Sequence, residues 1–288
     1  MCKLISTAFF LSILAQFCQP VFASGVTYYI PPLSEPSSYA VRLGVSGEIK
    51  NGDAEQLAFE LSLPFVDKRL ILDSPGGDVE EALRIASLVK ALHLTTIVKD
   101  DSTCASSCFF IFLAGDQHLA IGILDPDDPS ITSKVSGYIG LHRPYIKLNP
   151  AKRNGSIEAE KRQHDIMQIM GTYLRNQDVP QRLIDLMMSR PSNDIYWLTQ
   201  NDINQLGEYS PGREELLIAR CGYSRDMYSY GISQDRAAVA RGELRRKAFV
   251  DCSEDAFPDL MEERLKNIER LRKGWRPWSK SKVGGKKQ

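Results

Sequence analysis

The chain has 288 residues, room for one sizeable domain with an extension or for two small domains. Its 36 Lys and Arg balance its 36 Asp and Glu, and 43% of it is hydrophobic, the make-up of an ordinary globular protein. A formal charge of zero removes global charge as an argument for a nucleic-acid partner or an acidic substrate.

The first 23 residues read as a signal peptide. Met1-Cys2-Lys3 supplies a positive charge, Leu4 to Phe17 is an apolar core too short to span a bilayer comfortably, and Val21-Phe22-Ala23 has the form of a cleavage site. A retained signal anchor is the rival reading. Cleavage implies export, to a periplasm or outside the cell. Cys2 and Cys18 then leave with the leader, and Cys104, Cys108, Cys221 and Cys252 remain. An even number in an oxidising compartment points to disulfides, with Cys104–Cys108 as the local pair and Cys221–Cys252 as the C-terminal pair. Cross-pairing stays open, and a zinc site is a weaker alternative because no Cys-x-x-Cys or paired histidines accompany them. Two cysteines one helical turn apart can bridge only if the helix start is bent or non-helical.

Residues 24–40, with Pro31, Pro32 and Pro36, read as an extended lead-in, and 41–212 as the main domain. Leu43 to Ile49 has strand alternation, and Gly52 to Leu63 has a helical face of Ala54, Leu57, Ala58 and Leu61. A strand over Lys68 to Leu72 runs into Asp73-Ser74-Pro75-Gly76-Gly77-Asp78, after which Val79 to Leu92 recurs at helical spacing. Pro-Gly-Gly by itself is a turn. Paired glycines before a helix also let backbone N–H groups approach a developing negative charge. Thr95 to Val98 reads as a strand, Cys104 to Ala114 as a very apolar, helical segment, and Ile139 to His142 as a short strand. Helices over Gly155 to Arg175 and Pro180 to Met188 follow, then a strand over Ile195 to Leu198 and a helix from Thr199 to Leu206 that stops at Gly207. Strand and helix alternating in this way predict an α/β fold with a largely parallel sheet.

Residues 213–288 form a mainly helical extension holding Cys221 and Cys252. From Arg264 onward it has ten Lys or Arg against Glu269 alone, and Leu265, Ile268 and Leu271 suggest a helix before Gly274. Such a basic tail is a solvated terminus or a contact for anionic surfaces.

Three clusters follow the glycine turn. Ser106 and Ser107 stand at the mouth of the apolar segment, where serine is most often a cap but where a helix start also favours an oxyanion. His142 ends an apolar strand two residues before Pro144, a place where a base can be held beside a cleft. Asp194 precedes an aromatic strand, either as a turn former or as an acceptor that fixes a histidine tautomer.

In this order, Ser74-Pro75-Gly76-Gly77, Cys104-Ala105-Ser106, Phe112 to Gly115, His142 with Pro144, and Asp194 resemble the Clp protease proteolytic subunit and its relatives in the Clp/crotonase superfamily. The resemblance runs from about Val45 to Tyr209 and is strongest to an exported Clp-like branch with a Cys-Ala-Ser-x-Cys segment. It implies a ββα spiral fold and a serine peptidase-like hydrolase that cleaves peptides or unfolded polypeptides through an acyl-enzyme, without cofactor or metal. Carried over, Ser106 is the nucleophile, His142 its base and Asp194 the residue orienting that base, and the N–H groups of Gly77 and Ser107 form the oxyanion hole. Counting back from Ala114-Gly115 instead makes Ser107 the nucleophile and Cys108 the donor.

Three features depart from the family pattern: Ser107-Cys108-Phe109 where small residues are usual, an inserted acidic loop over 125–129, and a possible disulfide straddling the nucleophile. Members of the fold commonly form rings or trimers, so the resemblance allows a homo-oligomer but leaves the oligomeric state open, with the 155–175 helix as contact or as core. Export leaves no ATPase partner. The competing reading is a Clp-like binding or assembly module without turnover. Crotonase-type acyl-CoA chemistry conflicts with export, and a serine-lysine dyad has only Lys134 to draw on.

Overall fold

A computed structural model describes residues 25–29, 41–64, 66–120, 138–143, 156–191, 193–225, 236–255 and 257–278. The expected leader, most of the lead-in, the acidic loop, Lys134 and the last ten residues lie outside these.

A strand, a second short strand or bridge, and a helix repeat along the chain. The first unit is β1 (Gly25–Tyr29) and β2 (Val41–Ser46), the bridging residue Ile49, and α1 (Asp53–Leu61). Next come β3 (Val66–Asp73), the bridging residues Ser74 and Gly77, and α2 (Val79–Ala91). The third is β4 (Thr95–Val98), β5 (Thr103–Ala105) and α3 (Cys108–Leu113), and the fourth β6 (Gln117–Ala120), β7 (Tyr138–Leu141) and α4 (Ser156–Asn176). One sheet has the order β1-β2-β3-β4-β6, parallel except for β1. A second sheet has the order β5-β7-β8, where β8 is Tyr196–Trp197. The bridges Ile49–Gly77 and Ser74–Cys104 extend this second layer back through the earlier units. This is the α/β, ββα architecture expected from the sequence.

Two helices owe their starts to two carboxylates three residues apart, Asp78 and Glu81. Asp78 Oδ1 accepts from Glu81 N at 2.9 Å and caps α2. Glu81, 2% exposed, accepts from Gly52 N and Ala54 N and so satisfies donors at the start of α1, which has no side-chain cap of its own. The core is centred on α3, whose six residues are all buried, Phe109, Phe110 and Phe112 among them. A helix apolar on every face needs partners on every side, and α2, β4, β5 and β7 supply them. Helix α4 turns Ile166, Met170 and Leu174 into this core, and Tyr173 Oη donates to the Phe110 carbonyl at 2.7 Å. Its apolar stripe is therefore core, with Ile169 left exposed.

The apolar stretch expected as one helix over Cys104 to Ala114 is a strand, a turn and a helix, because Cys104 and Ala105 pair in parallel with Ile139 and Gly140. Strand β6 was not evident from the sequence. Part of the expected lead-in is β1, which pairs antiparallel with β2.

Beyond α5 (Gln181–Ser189), α6 (Gln200–Leu206) and α7 (Pro211–Cys221), the chain forms α8 (Arg236–Asp255) and α9 (Pro258–Arg272). Residue 212, where the main domain was expected to end, lies in the first turn of α7. Both local cysteine pairings occur, and Cys221–Cys252 ties α7 to α8 beside a cluster of Leu217, Tyr223, Phe249 and Phe257. Helix α9 returns to the main core through Leu271, while Asn267 donates to the Ala91 carbonyl and Arg272 to the Ser62 carbonyl. Part of the basic stretch thus fastens the extension to α1 and α2.

Candidate active site

The glycine turn is built by close approach. Ser74, fully buried, donates from Oγ to the Gly47 carbonyl at 2.6 Å and accepts from Gly76 N at 3.1 Å. Gly76 has φ +94°, and a Cβ there would lie 2.7 Å from both the Ala105 carbonyl oxygen and Ser106 Cβ. Gly77 has φ +153°, and its Cβ would lie 2.2 Å from the Ile49 carbonyl oxygen. No side chain fits at either position without moving backbone. Ile49 N donates to the Gly76 carbonyl and Asp78 N donates to the Ile49 carbonyl, each at 2.9 Å. In a parallel bridge the residue between two such bonds points its own N–H to the opposite side. For Gly77 that is the side of the segment that begins at the Ser74–Cys104 bridge and leads to Ser106.

On that side β5 ends at Ala105, and Ser106 takes φ +56° before Ser107 enters helical conformation and α3 begins at Cys108. A left-handed serine costs about 1–2 kcal/mol and persists only where its surroundings enforce it. Ser106 N donates to the Gly140 carbonyl at 2.9 Å, Phe109 N donates to the Ser106 carbonyl, and the Cys104–Cys108 disulfide closes the turn from strand to helix. A sharp strand-to-helix turn of this kind lifts its side chain out of the sheet edge. Ser107 is 1% exposed, and its Oγ is buried without a hydrogen-bond partner. Among the described residues the N–H groups of Gly77 and Ser107 make no hydrogen bond.

His142 follows β7, the strand that pairs with β5, so the pairing brings Ser106 and His142 to neighbouring strand ends. Its Nδ1 lies 2.9 Å from the carbonyl oxygen of Arg143. A carbonyl only accepts, so in the neutral ring Nδ1 carries the hydrogen and Nε2 presents its lone pair. Ser106 and His142 line one cleft of about 680 Å³, together with Gly76, Gly77 and, from α4, Arg162 and Ile166. Ser107 is not in that lining.

Asp194 is not brought to His142. Its Oδ2 lies 2.8 Å from Arg190 Nη1, and the carboxylate is 53% exposed. No hydrogen bond or ion pair joins Asp194 to His142 among the described residues, and the partner of His142 Nδ1 is the Arg143 carbonyl. The physical reason is local. Arg190, four residues earlier, captures the carboxylate, and the Arg190 carbonyl accepts from Arg143 N at 2.9 Å. Sequence reasoning also missed the Gly140 carbonyl and the wall formed by α4. Backbone acceptors have no sequence signature; the apolar spacing of α4 was visible, but the cleft it borders was not.

No protein-family model matches the chain, and no curated protein matches it. Among solved structures, ClpP1 from Listeria monocytogenes is similar at 18% identity and a TM-score of 0.38, over 57% of this chain and 86% of that one. An asparagine-to-aspartate mutant of the same protein is similar at 18% identity and a TM-score of 0.40, with the same coverage of both chains.

Proposed function

We propose that the protein is an exported serine peptidase-like hydrolase that cleaves short or unfolded peptides through an acyl-enzyme on Ser106. The observation that supports this most is the left-handed Ser106, held between the glycine turn and the Gly140 carbonyl and facing the cleft that His142 also lines. Serine is a poor nucleophile until a neighbouring base takes its proton. In the proposed reaction His142 Nε2 accepts the Ser106 Oγ proton as Oγ attacks the peptide carbonyl carbon. The resulting oxyanion receives the Gly77 and Ser107 N–H groups, each worth about 3 kcal/mol to the transition state. The imidazolium then gives its proton to the departing amine. Water, activated by the same ring, releases the acyl group and restores Ser106.

Two disulfides fit an oxidising compartment, and among the described residues no helix is long and apolar enough to cross a membrane. A second reading, a binding module without turnover, is favoured by one observation: His142 has a neutral carbonyl at Nδ1 where a carboxylate would stabilise the imidazolium. Hydrolysis of a pool of short peptides by the mature chain, compared with S106A, S107A and H142A, separates the two. The hydrolase reading expects cleavage that S106A and H142A abolish and S107A retains. Absence of cleavage by the parent chain, or cleavage that survives S106A, contradicts it.

A further inference from the structure

A second cavity, of about 570 Å³, lies between the N-terminal ends of β3, β4 and β6 and the helices α7, α8 and α9. Among the described residues it shares no lining residue with the Ser106 cleft. Its walls carry, among the described residues, Lys68, Arg213 and Arg264, the paired His93 and Asp116, and an apolar side that includes Phe249, Phe257 and Leu260.

The two guanidinium groups are incompletely matched. Arg213 Nη1 and Arg264 Nε are buried and, among the described residues, have no hydrogen-bond partner. Burial pulls both guanidinium groups below their usual range. The carboxylates whose charge acts on them, Asp116 in the cavity wall and Asp259 and Asp67, all have other partners. Asp116 holds His93 Nδ1 at 2.9 Å, Asp259 pairs with Arg220, and Asp67 is shared by Arg42 and Arg69. Glu263 approaches His93 Nε2 at 3.6 Å. Arg213 also stacks its Cζ 3.6 Å over the Phe257 ring. A guanidinium whose face is covered by an aromatic ring presents its N–H edge, the geometry that binds planar carboxylates and phosphates in pairs of hydrogen bonds.

We propose that this cavity binds a small organic anion. Its carboxylate or phosphate head sits between Arg213 and Arg264, and its apolar body rests on Phe249, Phe257 and Leu260. The volume suits a ligand of small-molecule size, and an apolar lining with a few convergent polar groups is the common character of such sites. The head group is either that of a free metabolite-sized acid or the terminal carboxylate of an apolar peptide.

Titration calorimetry on the mature chain tests this with benzoate, phenyl phosphate and an N-acetylated tripeptide ending in leucine. Benzamide and the tripeptide amide serve as neutral controls. The expected result is one site per chain for at least one anion, weakened at least tenfold in R213Q and in R264Q, unchanged in S106A, and absent for the neutral controls. Preference between the free acids and the tripeptide identifies the source. Circular dichroism establishes that each variant is folded, and R264K, which keeps charge but loses the fork, gives an intermediate loss. Failure of every anion to bind, equal binding of benzamide, or parental affinity in R264Q overturns the proposal. Because S106A is expected to bind normally, the result stands apart from whether Ser106 is a nucleophile.

Discussion

Replacing Asp194 by alanine distinguishes two ways of holding His142. The Asp194 carboxylate is 53% exposed and pairs with Arg190 at 2.8 Å. An exposed pair of this kind contributes about 0.2–1 kcal/mol, so D194A lowers stability by no more than about 1 kcal/mol. Its effect on catalysis follows from the partner of Nδ1. That partner is the Arg143 carbonyl, a backbone atom that the substitution leaves in place. The expected loss in kcat/KM is therefore under about threefold, or roughly 0.6 kcal/mol. If Asp194 instead fixed the tautomer, its removal would cost about 10⁴-fold, as it does in a serine-protease triad that loses its aspartate. The assay is kcat/KM on a cleaved fluorogenic peptide, alongside thermal melting of both proteins. A loss of a thousandfold or more at an unchanged melting temperature would refute the assignment of the Arg143 carbonyl.

Gly76→Ala places a Cβ 2.7 Å from the Ala105 carbonyl oxygen and Ser106 Cβ at φ +94°. Strain and overpacking together cost about 2–4 kcal/mol. Displacing Ser106 by about 1 Å lowers turnover about a hundredfold, and parental activity in a folded G76A would refute the close approach. The two disulfides are expected to divide their roles. Cys221–Cys252 closes a separation of 31 residues and Cys104–Cys108 one of 4, so chain entropy assigns them about 4 and about 2 kcal/mol. Chemical denaturation should therefore show the larger stability loss in C221A/C252A, while peptide hydrolysis should fall further in C104A/C108A.

His118, buried beside Phe112, has its pKa pushed down to about 4 by burial. The unfolded chain then binds more protons than the folded one between pH 6.5 and 4, so stability falls by about 3 kcal/mol as pH drops through that window. His93 works in the other direction, because Asp116 raises its pKa and its contribution is lost only as pH rises above the window. The urea midpoint should fall from pH 7 to pH 4.5 in the parent chain, and this acid-side loss should be absent in H118Q. An equal pH dependence in H118Q rules out His118 as the cause.

Most of the fold was legible because its helices carry one apolar face and its strands are bounded by glycine, proline or polar turns. The four-residue strand Thr95–Val98 is an example, standing between a complete amphipathic helix and the polar run Lys99 to Ser102. Strand β5 was hidden because only Ser106 and Ser107 part Thr103-Cys104-Ala105 from the apolar helix, serine there reads as a cap, and it is the pairing with β7 that makes the first three residues a strand. Strand β6 is four residues whose identity depends on β4 alongside it. At the site, Gly76, Gly77, Ser106 and His142 could be picked out by residue type and order. Asp194 was singled out in the same way, but its pairing with Arg190, four residues earlier, had no comparable signal. The carbonyl that serves His142 belongs to the next residue, and any residue could supply it.

The central claim is that Ser106 is a nucleophile activated by His142. It is tested most directly by treating the mature chain with a fluorophosphonate and locating the adduct by tandem mass spectrometry. The account predicts a single phosphonyl adduct on Ser106 that is absent in S106A, strongly slowed in H142A and retained in S107A. An adduct on Ser107, or no adduct in the folded parent chain, would contradict it.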